Sequence, residues 1–189
     1  MQPPQNAPTG APSPQEALGQ CHRCIAGMLD RLDDFATRLA AAPDAKDAGR
    51  ADRARAIVAE IDEALNVHVS DEEKDVFPAL LAAADSPARR AQAFELVSSL
   101  LVEHRELAEL WHTMRVALLA LGGGVSVAFP GGTAADFLVL FRRHLEREGV
   151  ELAELMGVID PARSREIALS LVQRHDEACP RFASCPQRR

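Results

Sequence analysis

The stretch ARAIVAEIDEALNVHVSDE, residues 54–72, decides the fold. Its apolar residues Ala54, Val58, Ile61 and Leu65 step by four and three, which marks one face of a helix rather than the alternation of a strand. The same steps continue onto His68 and then Glu72. A carboxylate four residues after an imidazole lies on its face, roughly 6 Å further along the axis. A buried, unpaired carboxylate requires a proton, a cation or a metal, so this face carries chemistry as well as packing. The neighbours Asp71, Glu73, Lys74 and Asp75 are expected on the solvated side. Pro78, in Phe77-Pro78, is expected to bend or interrupt the helix.

The pattern recurs as HLERE at residues 144–148. Here Phe137, Phe141, His144, Glu148, Leu152 and Leu155 make the inner face of another helix, with Thr133 as its expected N-cap. Before the opening stretch, a helix from about Pro14 to Ala42 carries Leu18, His22, Ile25, Leu29, Leu32, Ala36 and Leu39 in steps of four and three. Between the two motifs, a helix of roughly Ala88 to Leu121 carries Phe94, Val97, Leu101, His104, Ala108 and Trp111. Breakers separate these segments: Pro43–Gly49, Asp85-Ser86-Pro87, and Gly122-Gly123-Gly124 through Phe129-Pro130-Gly131-Gly132. A further break at Gly157–Pro161 precedes a shorter helix, about Ala162 to Ala178. The expected architecture is all-α: an antiparallel four-helix up-down bundle with a short additional C-terminal helix, over residues 14–178. A proline-rich tail (1–13), expected to be disordered, and a Cys/Pro-containing tail (179–189) flank it.

Composition agrees. Hydrophobic residues make up 47% of the 189, yet aromatics only 4% with no Tyr, so the apolar mass is Ala, Leu and Val, which favours helices. A net charge of −7 and a pI near 5.4 argue against nucleic acid or an anionic membrane as partner. No apolar run approaches the roughly 20 residues of a membrane span. The start, MQPPQNAPTGAPSP, has neither the basic nor the apolar part of a signal peptide. A cytoplasmic protein is therefore expected, whose four Cys need not be paired.

A lone histidine on an apolar face is ordinarily a core residue. Counting from the turns changes that weighting, because short loops make consecutive helices antiparallel neighbours. His22 lies 24 residues before a turn near position 46, while His68 and Glu72 lie 22 and 26 after it. His104 lies 23 residues before a turn near 127, and His144 and Glu148 lie 17 and 21 after it. The mismatches amount to about one helical turn, so all six residues share one depth in the bundle. Four imidazoles and two carboxylates supply mixed N/O ligation, and each carboxylate can bridge two cations whose charge offsets its burial. Structural zinc prefers four ligands in a closed tetrahedron. Six mixed ligands suit two non-haem iron ions, ahead of manganese or zinc. The absence of Tyr removes the usual partner for tyrosyl-radical chemistry. The ligands of such a site are dioxygen, peroxide or nitric oxide.

The order H … H-x-x-x-E … H … H-x-x-x-E along four helices resembles the hemerythrin-like, or HHE cation-binding, domain of the four-histidine bacterial type, over roughly residues 15–158. Phe77-Pro78 shortly after the first H-x-x-x-E, and E-H-R-E-L at Glu103–Leu107, add to the resemblance. It implies that His22 and His68 bind one iron and His104 and His144 the other. Glu72 and Glu148 would bridge them, with an oxo or hydroxo group completing the pair. One departure stands out: oxygen-carrying hemerythrins have H-x-x-x-H where this chain has Ala108 four residues after His104. His112 is expected at the surface. The resemblance thus implies more open coordination and redox chemistry or sensing rather than oxygen transport. The bacterial branch includes proteins proposed to repair iron–sulfur centres, peroxide-consuming proteins and nitric oxide or oxygen responders. The extra N-terminal domain of typical repair proteins is not seen in the sequence, which weighs against that choice. Between turnover and a non-catalytic sensor or iron-handling module the residues do not decide. A plain bundle holding zinc or nothing is the third alternative.

Cys21 and Cys24 flank His22 and are helical neighbours. With Cys179 and Cys185 they form a candidate redox-active disulfide set or second metal site. His175 is given no role.

Overall fold

The computed structural model describes residues 13–42 and 49–178. Helix α1 spans Pro14–Ala41 and α2 Arg50–Asp71. A π-helical turn, Glu72–Val76, then leads into α3, Phe77–Ala83. Helix α4 spans Pro87–Gly122 and α5 Gly131–Arg147. A second π turn, Glu148–Leu152, is followed by a short α6 (Ala153–Leu155), a 3-10 turn (Met156–Val158) and α7 (Pro161–Ala178). The four long helices close a ring in which α1 packs on α2, α2 on α4, α4 on α5 and α5 on α1. Helix α7 lies outside this ring, against α1 and α2.

The helix ends follow local chemistry. Ser13 caps α1 through a capping box: its Oγ accepts from the Glu16 N–H at 3.2 Å, and Glu16 Oε2 accepts from the Ser13 N–H at 2.6 Å. Ser13→Ala is expected to lower stability by about 1 kcal/mol, read as a shift in the urea midpoint without a change in slope. Helix α4 ends at Gly123-Gly124, where Gly124 has φ +79 and the Val125 N–H reaches back to the Ala120 carbonyl at 2.9 Å. Thr133 is not the cap of α5. The N-cap lies three residues earlier, at Pro130, whose carbonyl accepts from the Ala134 N–H.

The core has two parts. One gathers Ile25, Leu29, Leu32, Ile61, Leu107, Met114, Leu118, Phe137 and Phe141. The other gathers Leu18, Val76, Phe77, Leu80, Leu100, Leu152, Met156 and Leu171. On α1 and α4, and on α2 and α5 as continued by their π turns, the histidine or glutamate of interest falls between residues of the first part and residues of the second. The polar level therefore divides the core, with apolar packing on both sides.

Two expected faces need correction. On α4, Phe94 is 67% exposed, Leu101 is half-buried and Ala108 exposed, whereas Ala93, Leu100 and Leu107 are buried beside Val97, His104 and Trp111. Residues three and four before His104 both flank it on a helix; the packing of α4 on α2 and α5 selects the column four before. Beyond the second π turn, Met156 is buried and Leu155 only half-buried. A π turn inserts one residue, which rotates the inner face of all that follows. Pro78 sits in the first turn of α3, just after the first π turn. The second π turn contains no proline. What the two share is that each begins at the glutamate of an H-x-x-x-E motif.

Candidate metal centre

Each ligand-bearing segment reaches the centre for a local reason. His68 and His144 sit near the ends of α2 and α5, on the buried stripe that Ile61 and Phe141 define. The π turns then keep Glu72 and Glu148 on that stripe: the Phe77 N–H bonds to the Glu72 carbonyl and the Ala153 N–H to the Glu148 carbonyl, five residues back. His22 comes from the α1 stripe and His104 from α4.

The structure brings all six together. His22, His68, Glu72 and Glu148 offer ligand atoms within 4.8 Å of one another, and so do Glu72, His104, His144 and Glu148. Both glutamates belong to both sets. Every imidazole turns Nε2 inward: His22 and His68 each lie 3.3 Å from Glu148 Oε2, His144 lies 2.8 Å from Glu148 Oε1, and His104 lies 3.1 Å from Glu72 Oε2. His68, Glu72 and His144 are fully buried, and the side chain of His22 is the least so at 13% exposed. Phe77 stacks on His104 with ring centroids 5.9 Å apart, and Phe141 borders His68 and His144.

The electrostatics are those of charges held together out of water. Burial alone would raise Glu148; the His68 charge and the close His144 and His22 rings outweigh it and hold Glu148 well below the usual carboxylate range. Burial likewise opposes protonation of His68, but Glu72 and Glu148 lift it well above the ordinary imidazole range. Glu72 goes the other way, raised by burial and by the Glu148 charge against the pull of His68.

These groups nevertheless leave lone pairs and ring nitrogens unused. Among the described residues, the buried side-chain nitrogen and oxygen atoms without a hydrogen-bond partner are His22 Nε2, both nitrogens of His68, Glu72 Oε1, His144 Nε2 and both oxygens of Glu148. All belong to the same six residues. Buried polar atoms are otherwise satisfied in folded proteins, so this donor set fits cations bound between its members.

Carboxylates back two of the imidazoles. Glu73 Oε1 lies 2.8 Å from His104 Nδ1, and Glu103 Oε2 lies 2.9 Å from His144 Nδ1. Arg147 donates to Glu103 at 2.7 Å and to Ser99 at 3.0 Å. Such partners fix the tautomer that leaves Nε2 free for a metal. Glu73 was expected to be mere solvated surface. Glu103 stands in the quoted E-H-R-E-L motif, but only the α4–α5 packing aims it at His144.

Asp71 and His175 also depart from expectation. Asp71 is fully buried and His175 6% exposed. His175 Nε2 lies 2.6 Å from Asp71 Oδ2; Arg174 donates to Asp71 and to Asp75, and Ser170 donates to Asp75 at 3.2 Å. Burial lowers His175, but the hydrogen bonds to Asp71 and Cys21 and their charges prevail and raise it from 6.5 to about 9. A histidine raised on folding stabilises fully below its unfolded pKa, and that contribution is lost as pH rises through its folded one. The urea midpoint is therefore expected to fall between about pH 7 and about pH 10, and His175→Gln to remove most of that fall.

Cys21 is free and buried; burial raises its thiol, but the influence of His175 and His68 prevails and lowers it. Cys24 is disulfide-bonded. Cys179 and Cys185 lie outside the described residues. Ala108 and His112 are both exposed; Leu107 fills the inner face one turn beyond His104.

Among the described residues no helix is long and apolar enough to cross a membrane. A model of the hemerythrin HHE cation binding domain matches residues 13–155, which covers α1 to α6 and leaves α7 outside. No curated protein and no solved structure matches the chain.

Proposed function

The chain belongs to the hemerythrin HHE cation-binding domain family, and on that premise we propose that it holds two non-haem irons and binds or reacts with dioxygen, peroxide or nitric oxide. His22 and His68 hold one iron, His104 and His144 the other, and Glu72 and Glu148 bridge them. The observation that carries this reading is that the two ligand sets share both glutamates. A pair of irons so held supplies binding and stepwise reduction of small oxidants.

The protein's part is positional. Glu72 and Glu148 bring two negative charges that offset the cations. Glu73 and Glu103 hold the rings of His104 and His144, and Arg147 balances Glu103. Phe77 and Phe141 wall the site with apolar surface. Each metal position draws four donors from the chain, two imidazoles and two carboxylates, which leaves room for a small ligand. Its approach is on the side of His22, the least buried of the six.

A non-catalytic sensor is the second reading. The observation favouring it is α7: it lies beyond the family match, yet it is anchored on Asp71 and Asp75, which flank Glu72.

Anaerobic loading with ferrous iron, followed by metal analysis, tests the site. About two irons per chain are expected, with charge-transfer absorption after oxidation; fewer than about one iron overturns the di-iron reading. Turnover of peroxide or nitric oxide by the loaded protein separates an enzyme from a sensor.

A further inference from the structure

The two H-x-x-x-E motifs end alike, each with its glutamate opening a π turn. Such turns are rare, so the side chains that span each one bear on how firmly its glutamate is aimed. The second turn is spanned from within. Arg147, one residue before Glu148, donates through Nε to Glu151 Oε1 at 3.1 Å, three residues after it. The equivalent positions around Glu72 are Asp71, one before, and Asp75, three after. Both are carboxylates. Residues four apart on a helix are neighbours, and like charges there repel, so the first turn cannot be spanned in the same way.

A cation from α7 takes that place. Arg174 Nε bonds Asp71 Oδ1 at 2.5 Å, and its Nη2 bonds Asp75 Oδ2. His175 Nε2 lies 2.6 Å from the other Asp71 oxygen, and Ser170 donates to Asp75 at 3.2 Å. Among the described residues, the side-chain hydrogen-bond partners of both aspartates are on α7. Asp71 is fully buried, where a carboxylate that loses its cation is costly.

We propose that Arg174 is the positioning residue of Glu72: it braces the first π turn from α7 as Arg147 braces the second from within its own motif. The proposal rests on the di-iron reading, in which Glu72 is a bridge. It makes α7, which lies beyond the family match, a working part of the metal centre. It also makes the two bridging arms unequal, since only the Glu72 arm depends on a helix outside the four-helix ring.

Amide hydrogen exchange of the full metal-free chain, together with iron retention after ferrous loading, tests this. Each π turn has its own reporter: the Phe77 N–H bonds the Glu72 carbonyl, and the Ala153 N–H the Glu148 carbonyl. Arg174→Ala should strip protection from Phe77 and leave Ala153 protected. It should also lower iron affinity about 10-fold, as loss of a group that supports a metal ligand does. Arg174→Lys puts a point charge in place of the fork, and should fall between Arg174→Ala and the wild type in both readouts. A general packing role would strip both amides alike and gain nothing from lysine. Should Arg174→Ala not fold, Arg174→Gln gives the same outcomes. Unchanged Phe77 protection, unchanged iron affinity, or both amides stripped together overturns the proposal. A wild-type chain that takes up no iron overturns the di-iron reading and this inference together. A wild type that loads iron, with the wrong response in the variants, overturns this inference alone.

Discussion

Glu148→Ala is expected to lose both irons rather than one. Glu148 Oε2 lies 3.3 Å from His22 and His68, and its Oε1 lies 2.8 Å from His144. It is thus the carboxylate that touches three of the four imidazoles. Removing it takes a donor from each position and half of the negative charge that the cations offset. Losing a residue that merely backs a metal ligand costs about 10–100-fold in affinity, which is the expectation for Glu103→Gln. Loss of a shared ligand should exceed that, so iron retained after desalting should fall from about two per chain to a small fraction. The same substitution removes the counter-charge of His68 in the metal-free protein, and breaking a buried ion pair costs about 3–5 kcal/mol. Glu148→Gln keeps the shape and serves as the companion variant, with circular dichroism to confirm the helices. Metal analysis showing unchanged iron in either folded variant would rule Glu148 out as a bridge.

Iron loading itself should raise the unfolding temperature by about 5–10 °C. The unpartnered buried atoms of the centre all sit on the six proposed ligands, and each such atom costs about 1–3 kcal/mol until it finds a partner. A ligand present at about 100 times its dissociation constant stabilises the native state by about 2.7 kcal/mol. For a chain of this size each kcal/mol moves the midpoint by about 2–4 °C. Calorimetry with and without ferrous iron under anaerobic conditions reads the shift, and a chelator should reverse it. An unchanged midpoint would mean that these residues hold no metal.

The two predictions draw on parts of the centre that were unequally legible. The six residues could be found from spacing, because a helix converts steps of three and four into one face wherever it lies. Their common depth followed from loop positions, since antiparallel helices joined by short loops must run level with each other. The column of α4 beside His104 could not be found this way: Leu100 and Leu101 both flank it, and only contact with α2 and α5 buries one and not the other. Asp71 was expected at the surface because nothing near it in sequence pairs with it. Its partners, Arg174 and His175, are 103 and 104 residues away.

By itself, then, the sequence determined the helices, their order and the six inward residues, because these depend on periodicity and on interactions within a few residues. Tertiary structure alone decided what stands behind two of the six: Glu73 at His104 and Glu103 at His144. Those partners are on different helices, and which side chain meets which depends on how the helices rotate against one another. Local spacing carries no record of that rotation; the packed core sets it.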